Sequence, residues 1–518
     1  MTPGNELIFL ALGGSGEIGM NVNLYGCQGK WVMVDLGMTF SDPDYPGIEL
    51  ILPDLEFIEE RRDDLVGVVL THGHEDHIGA IPYLAADLGV PLYATPFTAG
   101  LIRGKLAEER LLDAVELHVV DHEERFDLGP FGFRYVPLSH SIPEGNALII
   151  ETPHGRVFHT GDWKIDDEPQ LGEPSTAAEL TAIGDAGVLA LVCDSTNVFN
   201  PEASGSEGGV RVGLDSVVGE AKGRVLVTTF ASNVARLQTL GRVADDTGRR
   251  VCVAGRSLDR IIANAKAHGY LGDFPAPVDF DAAMRLPPRE LLIIATGGQG
   301  EPRAALGRIA FEQHPIKLAP GDLAIFSSKQ IPGNEVAIGR IQNALAEKGI
   351  AMVTDRQAHV HVSGHPGRPE LAAMYGWIRP EILVPVHGEM RHMAEQARFA
   401  AAHGVPRTIV QQNGDVVRLA PGGPETVGHE RTGRLVLDGD VILAAEGATI
   451  NERRKIAING LIAVAAAFDR AGKLAGAPAI SMAGVPLEED RDKFLDEAIM
   501  AAASAARAAA RDPEALRE

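Results

Sequence analysis

Thr71-His72-Gly73-His74-Glu75-Asp76-His77 is the stretch on which the fold and the chemistry both turn. An apolar run at 66–70 leads into it as a strand, and 78–86 leaves it with helical spacing. Potential ligands crowded at a strand-to-helix turn can fan around two cations. His72 and His74 face one, and Asp76 and His77 face the other. Imidazole nitrogen and carboxylate oxygen are both zinc donors, and catalytic zinc sites keep a position open for water. The plainer readings are an ordinary polar turn or adventitious metal binding; H-x-H-x-D-H directly after a strand makes them the weaker ones.

Single His and Asp residues at later strand ends complete the set. His140 stands in Leu138-Ser139-His140-Ser141, Asp162 in His159-Thr160-Gly161-Asp162-Trp163, and His387 closes the strand at 382–386. Asp162 is the expected bridge, because a carboxylate can offer one oxygen to each cation. One ion is then held by His72, His74, His140 and Asp162, and the other by Asp76, His77, Asp162 and His387. Asp35, after the strand at 31–34, is expected to accept a hydrogen bond from a ligand histidine. Ser232-Asn233-Val234 opens a helix after the strand at 225–229, so its backbone amides are candidates to hold a phosphate, with simple helix capping an equal alternative.

The first half reads as short strands broken by turns, and from about Lys222 strands alternate with helices, the pattern of a parallel sheet. A small module follows Gly447, ending in an Ala-rich helix at 488–511 with acids first and Arg507 and Arg511 last, as the helix dipole prefers. With 518 residues, more than one domain is expected. No apolar run reaches the 18 or so residues that cross a bilayer, so no membrane association is expected. The N-terminus has Glu6 and no positive cluster, which argues against a secretory signal. Cys27, Cys193 and Cys252 stand far apart and form no disulfide framework, so the cytoplasm is expected. The net charge of −24 counts against non-specific, charge-driven binding of nucleic acid, though bound cations are not in that sum.

The order Asp35, His72-x-His74-x-Asp76-His77, His140, Asp162 resembles the metallo-β-lactamase superfamily, and Asp194, His365 and His387 resemble the extra motifs of its β-CASP nuclease branch. Within that branch the chain is similar to bacterial ribonuclease J. The matching segments are Leu12–Gly19 as LGGSGEIG, 296–302 as TGGQGEP, 327–335 as SSKQIPGNE and 361–365 as HVSGH. The match runs to about residue 450, and the tail looks shorter than the family's usual C-terminal domain. The resemblance implies an α/β fold: a metallo-β-lactamase αββα sandwich at 1–200 and 371–447, an inserted β-CASP α/β domain at 201–370, and a small α+β module at 448–518. It implies hydrolysis of RNA phosphodiesters by two zinc ions (with manganese or magnesium as substitutes) and a bridging hydroxide, in endonuclease and 5′-to-3′ exonuclease modes. Catalytic roles fall to His365, Asp76 and Asp194, and a substrate pocket to Ser232, Asn233, Val234, His361, Val362, Ser363, Gly364 and His365. Single-stranded RNA with a 5′-monophosphate, a homodimer or homotetramer, and a calcium site at Gly47, Glu49 and Asp440 come from the same source; surface carboxylates are the plainer reading of the last.

Other readings compete with this one, among them a catalytically dead RNA-binding scaffold, against which the complete ligand set argues. Gly14-Ser15-Gly16-Glu17-Ile18-Gly19 followed by Asp35 mimics a dinucleotide-binding motif, but the motif needs a helix next, and 21–25 alternates like a strand. A small-molecule metallohydrolase of the thioesterase or lactamase kind does not explain the roughly 180 residues between Asp194 and His387. A DNA-directed nuclease of the same branch is separable only by substrate.

Overall fold

Leu7–Gly13 and Val22–Cys27 are buried along their whole length. Strands of that kind need cover on both faces. The computed structural model, which describes residues 4–41, 44–301, 303–330, 333–487 and 490–509, supplies it with two stacked sheets. The first has eight strands, in the order Glu425–His429, Asp415–Ala420, Leu7–Gly13, Val22–Cys27, Lys30–Val34, Leu65–Val69, Leu92–Ala94, Leu117–Val119. The second has seven: Arg125–Leu128, Phe131–Pro137, Asn146–Thr152, Gly155–His159, Ala190–Asp194, Ile382–Val386, Arg407–Thr408. Phe9, Tyr25, Val32 and Val69 meet Phe133, Leu148, Val157, Val192 and Val384 in the core between them. Their strand neighbours Phe158, Leu191 and Leu383 point the other way, onto Leu180, Leu371 and Met374 of the helices Ala177–Asp185 and Arg368–Ile378. The period of two along each strand thus produces the sandwich with helices outside it.

Ala190–Asp194 and Ile382–Val386 pair in parallel, Asp194 opposite Val386, although a whole domain is inserted between them. That domain is a five-stranded parallel sheet, ordered Arg250–Ala254, Leu291–Ala295, Val225–Thr228, Leu323–Phe326, Ala351–Val353. Val227 and Ile294 face one apolar cluster, and Leu226 and Ile293 the other.

Within the sandwich, Lys30–Val34 runs parallel to Leu65–Val69, and Gly155–His159, Ala190–Asp194 and Ile382–Val386 run parallel to one another. Asp35, the 71–77 turn, Asp162, Asp194 and His387 all lie at or just beyond the carboxyl ends of these strands. The turn's helix is not the single one expected. It divides into Glu75–Ile78 and Ile81–Leu88, because Ala80 turns its N–H onto the Leu36 carbonyl, 3.1 Å away, and Pro82 opens the second piece.

A second compact unit combines Phe40–Ile51 with the chain from Gly433. It contains a four-stranded sheet built from Val441–Ala444, Arg434–Asp438, Leu50–Pro53 and Thr39–Phe40, then the helix Ala448–Asn459, a hairpin of Leu461–Ala465 with Ala479–Ala483, and the helix Arg491–Ala509. It is richer than the one β–α pair expected. Pro302, Ile331 and Pro332 of the sequence motifs, and Glu488 and Arg511 of the expected last helix, lie outside the described residues.

The inserted domain is pinned by a buried charge. Arg236, fully buried in the helix Val234–Asp246, meets both carboxylate oxygens of buried Glu207 at 3.0 and 3.1 Å, donates to the Ser327 and Val360 carbonyls at 3.1 Å each, and reaches Ser327 Oγ. Deleting one partner strands the other charge in the core, a loss of about 3–5 kcal/mol. We expect Arg236→Met to lower stability by about that much in urea unfolding, and Arg236→Met with Glu207→Gln to recover part of it; a single variant as stable as the parent would contradict the assignment.

Candidate metal and active site

Two clusters of potential metal donors share one carboxylate: His72, His74, His140 and Asp162, and Asp76, His77, Asp162 and His387. In the first, His72 Nε2 and His140 Nε2 lie 3.1 and 3.0 Å from His74 Nδ1, with Asp162 Oδ2 at 3.9 and 3.8 Å from the same His72 and His140 atoms. In the second, His77 Nε2 is 3.2 Å from Asp162 Oδ1, and His387 Nε2 is 3.5 Å from Asp162 Oδ2 and 3.6 Å from Asp76 Oδ2. Asp162 Oδ2 is therefore shared by both clusters, while Oδ1 faces His77 of the second.

The contacts behind these atoms fix which ring nitrogen faces inward. His77 Nδ1 donates to Asp35 Oδ2 at 2.7 Å, and Asp35 is held in turn by the Thr71 N–H at 2.8 Å. His140 Nδ1 donates to the Gly364 carbonyl at 2.7 Å. Each contact engages Nδ1 and so turns the ring's Nε2, the nitrogen a metal would take, toward the centre. Asp35 and His387 both have positive φ, 64° and 52°, so part of the backbone strain sits on residues of the site. Gly37 permits the turn after Asp35: a Cβ there would lie 1.8 Å from the Asp76 carbonyl oxygen.

Burial pushes His72 and His74 well below the ordinary histidine range, with the neighbouring His77 and His140 adding to the effect, and takes His140 to about 4. All three are neutral, ready to ligate. His77 goes the other way: burial opposes it, but Asp162, Asp76 and Asp35 together raise it. Asp162 resists its own burial because His387, His77 and His365 hold it well down. Its buried Oδ1 has no hydrogen-bond donor, close as His77 Nε2 is. Neutral imidazoles, carboxylates in surplus and an undonated buried carboxylate oxygen are the chemistry of a divalent-cation site, and the donor set fits a metal such as zinc.

His365 stands beside this centre. Its Nδ1 is 2.8 Å from Asp194 Oδ2 and 3.9 Å from Asp162 Oδ2, and Asp194 also accepts from the Thr196 N–H at 2.8 Å. Burial works against its charge, but Asp194 and Asp162 outweigh it and raise the imidazole to about 9. The chain also offers Asp194, His365 and His387 as a third donor group.

The pocket residues divide. Gly364, which the resemblance puts in the substrate pocket, lets its carbonyl reach His140; a Cβ there would lie 2.9 Å from His140 Cε1. Asn233 caps its helix, accepting from the Arg236 N–H at 2.8 Å, while the Asn233 and Val234 amides are already donated to Phe230 and Ser232. Two of the three amides offered to a phosphate by sequence, those of Asn233 and Val234, are thus spent on protein carbonyls. Val362 is buried, and Ser363 Oγ accepts from the His365 N–H at 3.1 Å. His361 has a buried Nδ1 with no hydrogen-bond partner, and its imidazole is pushed down by burial and by Arg236, Lys329 and Lys164. Gly47, Glu49 and Asp440 all fall in the second unit, and no cluster of three or more ligating side chains forms there among the described residues; Gly47 lies beside Arg453.

Sequence reasoning missed Asn21, whose side-chain amide lies 3.1 Å from His77 Nε2 and 3.0 Å from His387 Nδ1. The available signal is its place two residues past the glycine-rich Leu12–Gly19 segment, one of those that match ribonuclease J. It also missed Ser204 and Glu370, buried polar residues far apart in the chain, for which no local signal exists.

Asp35→Asn keeps the shape but gives His77 a neutral partner. We expect zinc affinity to fall about 10–100-fold in competition with a chromophoric chelator, with the fold retained; unchanged affinity would show that Asp35 serves only the Thr71 turn.

Comparisons with known proteins agree with this geometry. The beta-lactamase superfamily domain matches residues 31–190, the ribonuclease J beta-CASP domain 222–345, and the Zn-dependent metallo-hydrolase RNA specificity domain 350–409. The ribonuclease J C-terminal domain matches 448–516, so the likeness extends past residue 450, where it was expected to end. Ribonuclease J of Sinorhizobium meliloti is 42% identical over 96% of this chain and 89% of its own length. The ribonuclease J of Corynebacterium glutamicum is 40% identical over 96% and 69%, and that of Thermus thermophilus 36% over 90% and 83%. A crystal structure of a protein of unknown function from Enterococcus faecalis shares the fold, with a TM-score of 0.57 at 17% identity over 80% of this chain and all of that one. The doubly clustered His/Asp centre, the parallel insertion between Asp194 and His387 and these matches together place the chain in the ribonuclease J family, on the metallo-β-lactamase fold with a β-CASP insertion.

Proposed function

We propose that this chain is a two-zinc ribonuclease that hydrolyses RNA phosphodiester bonds in endonuclease and 5′-to-3′ exonuclease modes. The observation that carries it is the buried Asp162 shared by two four-donor clusters, with the Asp194–His365 pair at their edge. Bound zinc ions would supply Lewis acidity and a water acidic enough to ionise at neutral pH. The protein's own part is to hold the donors and to aim a proton donor. Asp194 fixes His365 through Nδ1, which leaves Nε2 directed at a phosphate oxygen, where positive charge and a hydrogen bond stabilise the developing negative charge. Asp76, half-buried between His77 and His387, completes the ligand set.

Preference for a 5′-monophosphate belongs to the same proposal. With the Asn233 and Val234 amides occupied, the support is the unpartnered His361 Nδ1 among Arg236, Lys329 and Lys164, next to Ser363. We further propose a cytoplasmic homo-oligomer; three free cysteines support the compartment, and the exposed Leu461, Ile462 and Val464 of the C-terminal hairpin support self-association. Among the described residues no helix is long and apolar enough to cross a membrane.

End-labelled RNA, duplex DNA and a thioester, incubated side by side with and without chelator, test the substrate class. RNA cleavage abolished by chelator and restored by zinc is expected; turnover of the thioester alone would overturn the reading. His365→Ala should retain its zinc and lose about 10²–10⁴-fold in rate, whereas Asp162→Ala should lose metal as well. A 5′-monophosphate RNA should be degraded faster than its triphosphate counterpart, and equal rates would refute the pocket without touching the hydrolase.

A further inference from the structure

His365 is held at its backbone as well as at its ring. Its carbonyl oxygen accepts from the Ser204 hydroxyl and, at 3.3 Å, from the Asn197 side chain. Ser204 is itself buried, and it is fixed by Glu370: the Ser204 N–H and Oγ both lie 2.9 Å from Glu370 Oε2, so the hydroxyl proton is shared between that carboxylate and the His365 carbonyl. Glu370 is buried too. It accepts from the Gly367 N–H at 2.6 Å, two residues past His365, and from the Ile165 N–H at 3.2 Å, three residues past Asp162. A buried carboxylate with this many protein donors, and no cation among them, is a fixed hub. It ties together the segment that carries Asp162, the 204 loop and the turn that follows His365.

We infer that Ser204, set by Glu370, is a positioning residue for His365. This rests on the reading of His365 as the group that acts on the phosphate. Asp194 can turn the His365 ring about its own bonds, but it does not determine where the Cα stands; that depends on the backbone contacts of His365, of which the Ser204 hydroxyl makes the shortest. Without the Ser204 hydroxyl the 363–367 turn keeps its Glu370 contact at Gly367, and the metal donors keep all of theirs, but His365 loses a restraint opposite its ring. A misplacement of an ångström or less at such a group costs rate rather than substrate affinity.

The test is a double-mutant cycle of Ser204→Ala and His365→Ala on the full chain, with kcat, KM on a 5′-labelled RNA, zinc content and melting temperature measured for each. Ser204→Ala is expected to lower kcat about tenfold with KM within about twofold and zinc unchanged. In the His365→Ala background it should have no further effect on kcat, because its target is gone. Glu370→Gln keeps an acceptor for Ser204 and Gly367 while giving up the Ile165 contact, so it should remain folded and lose less rate than Ser204→Ala. Additive losses in the double variant, or a fully active Ser204→Ala beside a crippled His365→Ala, would overturn this inference alone. A near-normal kcat in His365→Ala would overturn it together with the reading of His365.

Discussion

A carboxylate buried among imidazoles governs this site. Asp162 lies within 4 Å of His72, His77, His140, His365 and His387, and it is nearly inaccessible to water. Burial by itself would protonate such a group; the surrounding histidines keep it ionised. The same charges act back on their donors, raising His77, His365 and His387 while His72, His74 and His140 are left neutral. Asp35, Asp76, Asp162 and Asp194 then outnumber these three rings, and divalent cations are the natural complement.

Everything around that centre is arranged to hold it rigid. Asp35 and Gly364 bond the far nitrogens of His77 and His140, Asn21 stands between His77 and His387, and Glu370 fixes the loops behind His365. Two of these partners come from the far end of the chain. The inserted domain is therefore not an accessory to a finished metal site. His140 has its orientation from Gly364, and His387 arrives only when the chain returns to pair with Ala190–Asp194.

The acidic total sits differently once the centre is seen. Arg236, Lys164 and Lys329 converge near His361 although the protein carries −24 overall. Arg236 is matched by Glu207 and Lys164 by Asp166, so the positive charge is placed rather than abundant.

Much was legible without coordinates because it is local. The 71–77 turn announces its candidate donors, since their spacing is set by a few backbone torsions, and the strand-end positions of His140, Asp162 and His387 follow from apolar runs that stop there. The hydrogen bond from His77 to Asp35 was likewise expected from a strand-end acid. Tertiary structure decided what spacing does not encode. Whether the Asn233 amide meets a phosphate or the Phe230 carbonyl depends on how one loop closes. Gly364 serves His140 because two segments, hundreds of residues apart, are packed against each other. Ser204 and Glu370 look like any surface Ser and Glu in the chain; only the folding of three distant segments around them turns their polarity into a buried network, because a hydrogen bond is specified by distance and direction in space and not by position in sequence.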